Sequence, residues 1–204
     1  MDQSTEQIIL RAAAEQFAAK GFDGARVDEI AAAAGVNKAT LYYQIGDKAA
    51  LYGRVLSDML SRTADRISAA VAAAPDPEQK VRAYCREFAA SAQELHHLAP
   101  IMMREVAGGG TQVPDTALAQ FARIVKALDE GVNMGMASGV FRQVNPFVAH
   151  MLVVGGLSFF NAGTPLRTRI AESQGVDIRP RLELDHEQMT EQLSALIVGA
   201  LKNA

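Results

Sequence analysis

The chain has 204 residues, 49% of them hydrophobic, and a formal net charge of -3. That apolar content can bury a sizeable core in one large or two small domains, while the acidic balance excludes a protein that coats nucleic acid nonspecifically. A single cysteine, Cys85, excludes a disulfide framework within the chain, and its spacing from Val81, Tyr84 and Phe88 reads as that of a small buried side chain.

The amino-terminal stretch Met1-Asp-Gln-Ser-Thr-Glu is polar and lacks signal-peptide character, so a cytoplasmic location is expected. Ser4 and Gln7 make a capping box for a first helix from about Thr5 to Lys20. Gly21 stops that helix, and Phe22 falls where the apolar contact of a Schellman turn would meet Phe17.

The next stretch, Val27 to Lys48, reads VDEIAAAAGVNKATLYYQIGDK. Val27, Ile30, Ala31 and Ala34 form one helical stripe, Gly35 is suited to a left-handed helix end, and Asn37 is a good N-cap for a second helix. Helix, glycine turn and helix in that order are the signature of a helix-turn-helix. On the second helix Leu41 and Ile45 share the inward face, whereas Ala39, Thr40, Tyr42 and Tyr43 face out. A small residue, a hydroxyl and two phenols can approach base edges, phosphates and thymine methyls. Lys38 at the helix start and Lys48 just beyond its end are placed to neutralise phosphates, and Asp47 caps the helix that follows. The first 54 residues carry no net positive charge, so DNA binding must rest on local charge: from Val36 to Arg54, Lys38, Lys48 and Arg54 stand against Asp47 alone.

Ile9, Ala13, Phe17, Gly21, Ile30, Ala31, Gly35, Val36, Thr40, Leu41, Tyr42, Lys48 and Leu51 resemble, in type and spacing, the DNA-binding domain of the tetracycline-repressor (TetR) family of bacterial transcription regulators. The resemblance covers about the first 50 residues. It implies that Lys38, Ala39, Thr40 and Tyr43 lie against base edges while Tyr42 and Lys48 hold the DNA backbone. Three positions depart from the family pattern. Arg26 replaces the usual capping threonine or serine and offers a charge to a phosphate, Ile45 replaces a core phenylalanine, and Ala39 replaces the commoner glycine. With Asn37 at the helix start, the expected DNA-facing set is Arg26, Asn37, Lys38, Ala39, Thr40, Tyr42, Tyr43 and Lys48.

Beyond the motif a long helix should run from Lys48 towards Ala72, ending before Pro75 and Pro77 and linking the amino-terminal domain to the rest. Val81, Tyr84, Cys85, Phe88, Ala92 and Leu95 mark the next helix. Pro100 then opens a short one that stops before Gly108-Gly109-Gly110, and Pro114 opens another whose stripe is Leu118, Phe121, Ala122, Val125, Leu128 and Val132. Phe147 to Phe160 is apolar almost all round, yet with His150 and Gly155-Gly156 inside it is too short to span a bilayer. Gly163 to Glu187, with Pro165, Pro180, Arg167, Arg169, Arg179 and Arg181, reads as a loop containing one short helix from Pro165. A last helix, His186 to Lys202, carries Met189, Leu193, Leu196, Ile197, Ala200 and Leu201 on one seam.

The expected fold is therefore all-α: a three-helix DNA-binding domain over residues 1–50, with its helix-turn-helix at about 27–46, and a helical effector-binding and dimerisation domain over 51–204. The all-round apolar helix and the final helix are expected to form a four-helix bundle with a second copy of the chain. The family resemblance supports that homodimer, which would present two recognition helices to a palindromic double-stranded operator. Tyr84, Phe88, His96, Met102, Met103, Phe121, Met134 and Phe159 would line an apolar pocket for an unidentified, largely apolar small-molecule effector. Adjacent His96 and His97 point about 100° apart with no further ligand at a suitable spacing, so neither metal nor cofactor is expected. Arg104-Glu105 reads as a solvated or paired surface charge. The alternative to a repressor released by its effector is a helical enzyme or carrier with no DNA role, but no nucleophile and base pair or phosphate loop stands in proper context.

Overall fold

In the computed structural model, which describes residues 4–173 and 184–203, the chain forms α1 (Thr5–Gly24), α2 (Val27–Ala33), α3 (Lys38–Gln44), α4 (Lys48–Ala73), α5 (Pro77–Glu94), α6 (Leu98–Ala107), α7 (Asp115–Ala137), α8 (Pro146–Ala162), α9 (Thr164–Glu172) and α10 (His186–Leu201). Arg179, Pro180 and Arg181 of the expected loop lie outside the described residues. The all-α expectation holds among those described, with a single backbone bridge, Phe141 to Lys202, as the one sheet-like pairing. No single helix among them is long and apolar enough to cross a membrane.

The punctuation read from the sequence is present in detail. Ser4 and Gln7 exchange hydrogen bonds of 3.2 Å at the start of α1. Gly21 adopts a φ of 71° and breaks the helix, letting the Phe22 ring stack on Phe17 at 6.4 Å. α6 differs: it begins at Leu98, with Pro100 as its third residue. The missing proline N–H costs nothing there, because the first amides of a helix have no intrahelical partner.

One compact unit comprises Met1–Arg62 and Leu95–Phe121. Its core gathers Ile9, Phe17, Ile30, Leu41, Leu51, Leu56 and Ile101, all fully or almost fully buried; each side chain of this size contributes about 1.5–3 kcal/mol by leaving water. α1 packs on α2 and α6, and α2 packs on α3.

The second unit comprises Thr63–Glu94 and Ala122–Ala204, so α4 contributes residues to both. α10 packs on α5 and α8 around Val81, Tyr84, Val153, Leu157, Ile197 and Leu201. Cys85 lies in this core, and burial pushes its thiol up to about 12, which suits a packing residue. Gly135 admits the Phe141 ring, since a Cβ there would fall 2.0 Å from its Cδ2. The chain end is pinned alongside: Arg142 N donates to Leu201 O at 2.8 Å and Asn203 Nδ2 to Gly139 O at 2.7 Å.

The expected seam of the last helix divides in two. Ile197 and Leu201 face α5 and α8, whereas Leu196 and Ala200 face outward, about 100° round the helix. α8 divides likewise, burying Ala149, His150, Val153, Leu157 and Phe160 and exposing Phe147, Val148, Met151, Leu152 and Phe159.

Candidate nucleic-acid interface

α2 ends in a complete Schellman turn. Val36 N bonds Ala31 O at 3.0 Å and Gly35 N bonds Ala32 O at 3.1 Å, with Gly35 at a φ of 68°. The chain can thus reverse and start α3 two residues later. Asn37 caps α3 by accepting from Thr40 N at 2.7 Å and from Thr40 Oγ1 at 3.0 Å. Asp47 caps α4 by accepting from Ala50 N at 2.8 Å. Arg26, at the N-cap of α2, makes no side-chain cap, but Asp28 and Glu29 in the first turn meet the positive end of that helix.

With these ends fixed, Leu41 is wholly buried while its neighbours Tyr42 and Tyr43 are 43% and 89% exposed. Ile45 is half-buried at the C-cap, and Ala39 is exposed. The outward face of α3 therefore carries Lys38, Ala39, Tyr42 and Tyr43, with Thr40 half-buried over its own cap and Arg26 exposed at the start of α2. Among the described residues nothing covers the Tyr43 ring.

The three cations of the local positive patch are all engaged within the unit. Lys38 Nζ pairs with Asp28 at 2.7 Å and lies 5.9 Å from the Tyr42 ring centre; the Asp28 hydrogen bond and charge raise its pKa. Lys48 Nζ donates to Asp23 O at 3.1 Å and sits 4.7 Å over the Phe22 ring. Arg54 pairs with Glu6 at 2.8 Å. Asp28 and Phe22 thus bear directly on the candidate interface, yet neither belongs to the set expected from sequence. The signal for Asp28 was an acid one helix away from Lys38; the partnership of Phe22 with Lys48, 26 positions later, left no local signature.

The residues expected to line an effector pocket are distributed. In the second unit Tyr84 is fully buried, stacks on half-buried Phe88 at 6.3 Å, and shares a 2.8 Å hydrogen bond with His150 Nδ1. Burial there raises the phenol pKa and lowers that of the imidazole, so the pair is neutral. Met134 and Phe159 of the same unit are exposed in the single chain. In the first unit His96 and Met103 are exposed, and Met102 and Phe121 are half-buried. Among the described residues no group of three His, Cys, Asp or Glu is placed to hold a metal ion.

A short helix held by an asparagine cap and a preceding glycine turn, presenting two phenols and a lysine from a three-helix body, defines a helix-turn-helix of the kind that docks on DNA. Residues 9–55 match the family described as bacterial regulatory proteins, tetR family. It is 41% identical over 66 residues to the uncharacterized HTH-type transcriptional regulator YdeS of Bacillus subtilis (strain 168), a stretch that covers 32% of either chain. Two solved structures share the whole fold. The fatty acid degradation regulator FadR from Bacillus halodurans is 20% identical with a TM-score of 0.75, covering 100% of both chains. The regulator FadR from Bacillus subtilis, solved in complex with stearoyl-CoA, is 16% identical with a TM-score of 0.74, covering 95% of this chain and 98% of its own. At those identities the likeness establishes the fold alone.

Proposed function

We propose that the chain is a homodimeric, sequence-specific repressor that leaves a palindromic operator when a small molecule binds. The observation that carries the reading is the outward face of α3: with Leu41 wholly buried and Tyr43 89% exposed, this helix offers a polar aromatic surface that the unit itself does not use. In this reading Lys38, Ala39, Thr40 and Tyr43 meet base edges, Tyr42 and Lys48 hold the DNA backbone, and Arg26 and Asn37 flank them. Residues 1–50 form the DNA-binding domain and 51–204 the effector-binding and dimerisation domain.

The dimer is supported by the exposed apolar faces of α8 and α10, where Phe147, Val148, Met151, Leu152, Phe159 and Leu196 await cover. A two-fold copy places two recognition helices about 34 Å apart, or a modest multiple, to read successive major grooves. Because α4 contributes to both units, it is the element through which an effector would alter that separation. The effector must bind the DNA-incompetent state better, and its differential affinity limits induction.

Selecting bound sequences from random duplex DNA tests the reading. A palindrome with a defined half-site spacing, and a steep fall of affinity with salt, are expected; a flat salt response with no enriched sequence would refute it. The same-fold regulator solved with stearoyl-CoA makes long-chain acyl thioesters the first effectors to assay for release of that operator.

A further inference from the structure

Arg104 and Glu105 are neighbours on α6: Arg104 is exposed, as the sequence suggests, but bonded to another helix, whereas Glu105 is buried. Arg104 reaches the end of α1, donating from Nη2 to Ala19 O at 3.0 Å and from Nε to Ala18 O at 3.4 Å. These carbonyls lie just before the break at Gly21, where a cation also meets the negative end of the preceding helical stretch. Glu105 points to a different element. It is only 7% exposed and accepts a 2.5 Å hydrogen bond from Tyr52 Oη in the second turn of α4.

Tyr52 is buried too, edge-on to Phe17 at 4.7 Å and to Phe22 at 5.1 Å, and Phe22 is the ring beneath Lys48. Burial, then the Glu105 carboxylate, hold the phenol far above its usual pKa, so it remains a donor. An apolar pair of similar size would fill this site without the cost of desolvating a carboxylate. What the bond adds is direction: it forms only when α4 and α6 stand in one register. Ser57 Oγ and Thr116 Oγ1, 2.9 Å apart, tie α4 further along to the start of α7.

We propose that Arg104 and Glu105 are positioning residues for operator binding: α6 grips the end of α1 with one and the second turn of α4 with the other, and so sets the seat of Phe22 and Lys48. This inference rests on the DNA-binding reading above.

The test uses the full chain and the duplex selected by the wild type, with affinity measured at temperatures where circular dichroism shows each variant folded. Tyr52→Phe and Glu105→Leu should each weaken operator binding about tenfold and flatten its salt dependence towards that of Lys48→Ala. Glu105→Gln, which keeps a neutral acceptor, should recover most of the loss. The double variant Tyr52→Phe with Glu105→Leu strands no polar group, so it should fold at least as stably as the wild type and still bind weakly. Arg104→Met should weaken binding in the same sense. If the folded double variant and Arg104→Met bound with wild-type affinity and salt slope, the positioning role would be overturned with DNA binding intact. Absence of salt-dependent duplex binding by the wild type would instead overturn the DNA reading beneath it.

Discussion

Lys38 and Asp28 face each other across the helix-turn-helix, Nζ to Oδ1 at 2.7 Å, so in the proposed complex the first residue of α3 would meet DNA already holding a carboxylate. Both side chains are more than half exposed, and the pair is readily exchanged for a phosphate. Asp28 also sets a negative charge beside the polyanion. Asp28→Asn is expected to tighten binding to operator and random duplex alike by about two- to fivefold, the scale of one exposed ion pair. Competition binding at fixed salt measures both. Weaker operator binding would mean that Asp28 aims Lys38 at its contact.

Lys48 and Tyr43 should separate by the kind of information they lose. Lys48→Ala is expected to weaken binding to all duplexes and to lower the salt slope by about 1.8 per dimer, from two phosphate contacts. Tyr43→Ala should leave folding stability within about 0.5 kcal/mol, since its ring is solvated, while changing preference at particular base pairs in a selection experiment. Identical behaviour of the two variants would contradict the division of roles.

Leu196 is 71% exposed on α10 of the single chain, beside a helix whose outer face is also apolar. Leu196→Glu should cost the isolated fold little, because the carboxylate would stand in water. If the proposed dimer uses this face, the variant should be monomeric in sedimentation equilibrium where the wild type is dimeric, and should bind the operator more weakly. A variant that stays dimeric would place the interface elsewhere.

His150 should make stability depend on pH. Desolvation lowers its pKa in the folded chain below the ordinary 6.5, so as pH falls below 6.5 the unfolded chain takes up a proton that the folded one refuses. Its contribution is fully present above that value and is lost as pH falls towards the folded pKa, at a limiting slope of about 1.4 kcal/mol per pH unit. His97, lowered mainly by burial and next by His96, acts in the same sense. Replacing Tyr84 and His150 together by Phe and Leu should reduce the slope of denaturant stability between pH 7.5 and 5.5; an unchanged slope would exclude His150 as a source.

The features that sequence revealed are those whose physics is local. A capping box spans three residues, a Schellman glycine needs only its own φ, and the split between Leu41 and Tyr43 follows from a 3.6-residue period. Hence α1 to α3 and the outward face of α3 could be read directly. Arg104 and Glu105 could not, because their partners lie 85 and 53 positions away and a charged dipeptide on a short helix ordinarily faces water. The division of α10 was hidden for a related reason. Periodicity marks which residues are apolar, but only the positions of α5 and α8 decide that Ile197 turns inward and Leu196 outward.

The chain has four tyrosines and no tryptophan. Tyr42 and Tyr43 stand on the outward face of α3, Tyr52 is buried against Glu105, and Tyr84 is buried against His150. With no indole to drain their excitation, the phenols emit on their own account, and they fall at three separate places in the molecule. Ultraviolet emission of the unlabelled protein, taken through Tyr→Phe variants, can therefore follow the outward face of α3, the hold of α6 on α4 and the interior of the second unit separately.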